Sequence, residues 1–242
     1  MSEFKIPTET VELPSKGLLY PKDSELAKGV VEVKYMTAAH EDILTNQTYI
    51  KNGTVLDKLI KALIVSPINY DDLLIGDKNA IMVAARVLGY GSEYKFTYGG
   101  VDQTVDLAAL DNKPVHEAIE KADKNEFEYV LPYTKNTITF KLLTHKDEQD
   151  IQRELDGLKK INKDSSPELS TRWKYIITSV EGRREKKDIR EFVDNYLIAK
   201  DSRALREYIR ELQPDVDLTF HVDGADDKVN IPIGISFFWP DI

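Results

Sequence analysis

Two hydrophobic periods divide this chain between them. Leu56, Leu59, Ile60, Leu63 and Ile64 recur at the three-and-four spacing of one helical face. Thr54 stands before them as an N-cap, with Asp57 at the acidic position of a capping box. Ala80, Ala84 and Leu88 lie four apart with Val83 and Val87 beside them, in a helix that Asp77 opens and Gly89 or Gly91 closes. Its small residues predict a closely packed neighbour. Thr37 caps a shorter helix, AAHEDILTN. From Thr144 the stretch THKDEQDIQRELDGLKKI turns Ile151, Leu155 and Leu158 inward. Ser166 then caps and Pro167 begins the helix PELSTRWKYIITSV. Helices over about 187–196 and 202–212 follow, and Pro214 interrupts the last.

Period-two runs fill the remaining segments. VVEVKYM reads as a strand. SEYKFTYGGVDQTVDL gives two alternating runs around Gly99-Gly100, a strong hairpin signal. A second strand pair spans about 126–143, turning near Lys135-Asn136, and DLTFHVDGADDKVNIPI closes the chain with another hairpin. Ile231, Ile233 and Ile235 alternate as a final strand. This order predicts an α+β fold, because the strand-helix-strand alternation of a parallel sheet is missing. Residues 1–29, punctuated by Pro7, Pro14, Gly17 and Pro21, read as an extended, turn-rich N-terminal arm centred on LPSKGLLYP. Residues 30–242 form the α+β body, with a subdivision near 143/144 between a hairpin-containing half and a helical half that carries the terminal hairpin.

Composition narrows the function classes. The chain has 242 residues, 41% hydrophobic and 31% charged, which is ample for a core. No apolar run approaches the roughly 18 residues of a membrane span. The start, MSEFKIPTETVELPSKG, lacks the apolar centre of a signal peptide and points to intracellular synthesis. The absence of cysteine removes disulfides, thiolate catalysis and Cys-ligated zinc together. A net charge of −9 argues against general nucleic-acid affinity. The exception is EGRREKKDIR, which gathers Arg183, Arg184, Lys186, Lys187 and Arg190. It reads as solvated surface; the alternative is a nucleic-acid-binding module using this 183–190 turn beside ribbon-like hairpins.

Catalytic constellations do not assemble from the sequence. G-x-x-x-x-G-K-[ST] does not occur, and GYGSEY follows a helix where a dinucleotide loop must follow a strand. His40-Glu41 begins like a zinc-protease helix, yet Leu44 stands where the second ligand belongs. His116, His145 and His221 lack ligand spacing, so these three read as surface residues. Ser15, Ser92 and Ser236 have no nucleophile elbow. Asp71-Asp72 and Asp226-Asp227 fall in turns, where Asp bonds locally. The expectation is a protein that is not an enzyme and takes no cofactor, metal or small-molecule substrate.

Five stretches in order resemble one family. LPSKGLLYP, VKYMTAAHEDIL, LLIGDKNAIMVAARVLGYG, ITFKLLTHKDEQDI and IPIGISFFWPD are similar to the baseplate hub assembly proteins of T-even-type contractile-tailed bacteriophages. The resemblance runs from about residue 13 to the C-terminus. It implies a structural or assembly role in the tail baseplate hub through binding to other tail proteins. The implied location is the host cytoplasm during assembly, and the virion tail baseplate if the protein is retained. Such relatives often carry Cys-x-x-Cys pairs in two glycine hairpins, here FTYGGVDQTV and FHVDGADDKVNI. As degenerate zinc-ribbon-like hairpins they would rest on Gly99, Gly100, Gly224 and backbone bonds, without metal.

The aromatic end, Phe237, Phe238 and Trp239, completes the list of candidate partner-binding residues, with Leu18, Leu19 and Tyr20 of the arm. A tied-down terminus needs an apolar anchor, and interface cores are enriched in the same side chains. Alternation forbids all three aromatics from sharing one face, so a divided tail is expected, part core and part docking site, with Trp239 on the docking side.

Overall fold

The computed structural model describes residues 5–161, 167–222 and 228–238. Strand β1 (Thr8–Glu12) pairs antiparallel with β2 (Val30–Lys34), with Thr8 opposite Lys34 and Glu12 opposite Val30. The 13–29 connection is wound tightly, and Leu13, Leu19, Tyr20 and Leu26 are all buried. A short 3₁₀ turn, Glu25–Lys28, is capped by Ser24, whose side chain accepts from the Leu26 amide. Residues 13–29 of the stretch expected as an extended arm are therefore built into the core, while residues 5–10 lie exposed. The prolines and glycines of the buried part shape its turns, as read, but its apolar residues have no other place to bury.

Helices α1 (Ala38–Leu44), α2 (Gln47–Lys51) and α3 (Val55–Leu63) follow. Thr37 caps α1 in a capping box with His40. Thr54 makes no cap bond to α3, and the half-buried Asp57 bonds Tyr70 and Lys78 instead. Leu59, Ile60 and Leu63 are fully buried, while Leu56 and Ile64 are half-buried. The free side of β2 is closed by the chain after α3, where the Val65 amide donates to the Glu32 carbonyl at 2.8 Å.

The longest of the middle helices, α4 (Ile75–Tyr90), starts two residues before Asp77 and stops at Gly91, φ 83°. It runs through the core against β1, β2 and α3. Its Gly76 meets the backbone of Pro214 so closely that any Cβ would collide with the carbonyl oxygen. The hairpin of β3 (Glu93–Tyr98) and β4 (Val101–Asp106) turns on Gly99 and Gly100, whose φ of 58° and 83° are those of a two-residue primed turn.

After α5 (Glu117–Glu120), strands β5 (Phe127–Val130) and β6 (Thr137–Phe140) pair as expected. Helix α6 (His145–Ile161) opens on a reciprocal Thr144–Asp147 cap and buries Ile151 and Leu155, with Leu158 half-buried. Helix α7 is shorter than its periodicity suggests: it spans Glu168–Ile176 and gives way to β7 (Ile177–Val180), which adds to β6 as a third antiparallel strand. Pro167 occupies its N-cap, and Ser166, the expected cap, lies outside the described residues. Helices α8 (Lys186–Asn195) and α9 (Ala199–Leu212) complete this half. The Trp173 indole donates to Ser202 Oγ at 2.8 Å, which ties α7 to α9.

Strands β8 (Thr219–His221) and β9 (Lys228–Asn230) form the closing hairpin; its turn, with Gly224 and Asp226-Asp227, lies outside the described residues. This hairpin meets the first one, with the Phe96 and Phe220 rings edge to face at 5.9 Å. The architecture is α+β with small antiparallel sheets and one continuous core that takes in residues from Leu13 to Phe238. Among the described residues no helix is long and apolar enough to cross a membrane.

Candidate docking surface

The aromatic tail is mostly anchor. Phe237 and Phe238 are fully buried, their rings edge to face at 5.4 Å, and Phe237 stands 4.9 Å from the Tyr94 ring. The final strand does not form. Ile231 is buried, Ile233 and Ile235 are half-buried, and Ile235–Phe238 is a 3₁₀ turn that drives both phenylalanines inward. Neither is offered to a partner. Trp239 lies outside the described residues. In the N-terminal stretch Leu19 and Tyr20 are buried as well, and Leu18 alone of that trio is exposed, at 41%.

Tyr20 is held by a polar knot under this surface. Asp77, fully buried, accepts from the Ser15 amide at 2.9 Å, from Ser15 Oγ at 2.6 Å and from the Tyr20 hydroxyl. The Leu74 amide donates back to the Tyr20 oxygen at 2.9 Å. Burial pushes the Asp77 carboxyl up, against the hydrogen bonds from Ser15 and Tyr20 that hold it down. Burial, then the Asp77 charge, drives the Tyr20 phenol far above its ordinary range. Asp77 thus bonds residues some sixty positions away rather than capping its own helix. Its spacing from Ser15 gives no local signal.

A second polar cluster joins α3, α4 and α6. Lys78 Nζ donates to Asp57 Oδ1 at 2.6 Å and faces His145 Nδ1 at 3.3 Å, while His145 Nε2 lies 3.7 Å from Asp57 Oδ2. The Tyr70 hydroxyl donates to Asp57 at 3.1 Å, and its ring meets the imidazole edge on at 4.6 Å. Burial, followed by Lys78 and Lys61, lowers the His145 pKa, and Asp57 opposes them. The surface reading of His145 is corrected: it is 2% exposed. His40 is also buried, with Nδ1 accepting from the Thr37 amide at 3.0 Å, whereas His116 is half-buried and His221 exposed. The basic turn is solvated, as expected. Arg184 pairs with Glu126 at 2.6 Å and Arg190 with Glu154 at 3.5 Å.

One of several openings among the described residues lies beside β1. The Tyr35 amide donates to the Pro7 carbonyl, and the Leu13 amide to that of Gly29, so the odd residues of this strand face β2. Thr8, Thr10 and Glu12 therefore turn their backbone N–H and C=O groups to the outer edge, where no backbone partner meets them among the described residues. Alongside runs an open apolar groove of about 310 Å³. Its walls are Thr10, Val11, Ala80, Val83, Ala84, Val87 and Leu88, with Leu107, Leu110 and Val216 at the far side. The small face of α4 thus meets β1 only in part, and the groove occupies the rest. Glu9 and Glu12 are the charged residues of this lining; Lys16, Lys28 and Lys113 stand beyond its end, around the pocket that Glu12 also borders. Sequence reasoning found the Ala-Val face of α4 but not the free edge, which exists only because β1 pairs on one side.

No protein-family model, curated protein or solved structure matches this chain.

Proposed function

We propose that this chain is a component or assembly factor of the baseplate hub of a contractile-tailed bacteriophage, acting in the host cytoplasm by binding other tail proteins rather than by chemistry. The observation that carries the reading is where the family-like segments lie in the fold. LPSKGLLYP reaches LLIGDKNAIM through Ser15, Tyr20 and Asp77. LLIGDKNAIM joins ITFKLLTHKDEQDI through the Leu74–Thr144 bridge and the His145 amide, which donates to the Leu73 carbonyl at 2.7 Å. ISFF packs against Tyr94, just beyond α4. The resemblance thus falls on residues that hold the frame together, where chance similarity of surface loops would not gather. The contact between Phe96 and Phe220 supports reading the two glycine hairpins as a zinc-ribbon-like pair in which aromatic packing does the joining.

The test is genetic. A phage with an early stop codon in this gene, grown on a non-suppressing host, is expected to yield lysates with filled heads and no complete tails by electron microscopy. Normal tails and normal infectivity would overturn the proposal.

A further inference from the structure

We propose that the outer edge of β1 accepts an extended segment of a partner protein as an added strand, one that alternates aliphatic side chains with polar ones and carries Lys or Arg near Glu9 and Glu12. The inference rests on the protein-binding reading above and names the partner's chemistry. Three observations converge on it. Among the described residues, Thr8, Thr10 and Glu12 present unpaired N–H and C=O groups two residues apart, a spacing that another strand meets and a helix does not. The groove beside them is floored by Ala80 and Ala84, whose small side chains leave room for the partner's larger aliphatic ones. Both charged residues of the lining are acidic, so a basic segment fits by charge. A second copy of this chain fits worse. Pairing β1 with its own twin would bring Glu9 and Glu12 of both copies together at one edge.

The charges on β1 are Glu9 and Glu12, which deter an acidic strand and suit a basic one. The strand holds no lysine or proline and shows no bulge against β2. Exposed strands of this kind are templates for pairing unless something occupies them. Main-chain bonds would supply affinity without demanding one sequence, and the groove and the two carboxylates would supply selectivity.

Thr10→Pro tests the edge directly. The Thr10 amide points outward, so proline there removes a donor to the partner and leaves every bond to β2 in place. The probe is a fluorescein-labelled synthetic twelve-residue peptide alternating valine with lysine and threonine, titrated against the full chain by anisotropy. Saturable binding is expected, with slowed amide exchange at Thr8, Thr10 and Glu12. Thr10→Pro is expected to weaken binding by at least about tenfold at an unchanged melting temperature. The double variant Glu9→Lys, Glu12→Lys is expected to lose the lysine peptide and gain one with glutamate in its place. Absence of saturable binding, equal binding by Thr10→Pro, or a peptide-independent dimer held through this edge in sedimentation would each overturn the inference. In phage, rescue of tail assembly in the stop-codon mutant by Thr10→Pro would overturn the strand-addition site and leave the hub reading standing. Normal tails without any rescue would fell the hub reading instead.

Discussion

Asp77 shows how one side chain fixes two distant segments. Its carboxylate satisfies the Ser15 amide, the Ser15 hydroxyl and the Tyr20 hydroxyl, all inside the core. Asp77→Ala strands those donors, and a cost of about 3 kcal/mol is expected in urea melts, with Asp77→Asn costing less because one acceptor remains. The titrating residues give two separate pH windows. His145 has its pKa lowered by burial, so the folded state holds the proton less tightly than the unfolded chain does. Its contribution is complete above the ordinary value of 6.5 and is lost as pH falls below it. Glu126, lowered to about 2 by hydrogen bonds from Arg184 and then Lys124, contributes fully above its ordinary 4.5 and loses that contribution as pH falls toward about 2. Thermal melts from pH 7 to 2 are expected to show both declines. His145→Gln should flatten the first and leave the second.

Elements whose signals are local were legible in the sequence. Thr37 caps α1, Gly91 stops α4, and Gly99-Gly100 turns the first hairpin. Elements that depend on distant partners were not. β7 exists because β6 offers it an edge, while its residues continue the apolar spacing of α7. Helix caps separate the two cases in a measurable way. Asn46 Oδ1 accepts from the Thr48 and Tyr49 amides, whereas Thr54 makes no such bond despite its better-looking sequence context. Asn46→Ala is therefore expected to cost about 1 kcal/mol, and Thr54→Ala to stay within about 0.5 kcal/mol of wild type. Equal losses in chemical denaturation would mean that the caps are assigned the wrong way round.

At the scale of the molecule, one core runs from Leu13 to Phe238, so the C-terminal end of the described residues and the turns after β1 both enter it. Apolar residues near a terminus signal burial and partner binding alike. Only the 3₁₀ turn at Ile235–Phe238 resolves Phe237 and Phe238 as anchors. Phe237→Ala is accordingly expected to cost about 3–5 kcal/mol in denaturant melts, and a loss below about 1 kcal/mol would return the residue to the surface. The docking surface stayed hidden in the sequence for the converse reason. TETVE looks like an ordinary strand until the pairing with β2 shows which of its backbone groups remain free. On the proposed reading, the molecule binds another tail protein through this side. Lysine cross-linking and mass spectrometry of infected-cell lysate address it most directly, because Lys5 precedes β1 while Lys16 and Lys113 border the end of the groove at Glu12 and Asn112. Intermolecular links from these lysines to another protein of the tail are expected. Links to tail proteins solely from other lysines, such as Lys186 and Lys187 on the basic turn, or no link to any tail protein, would contradict that reading.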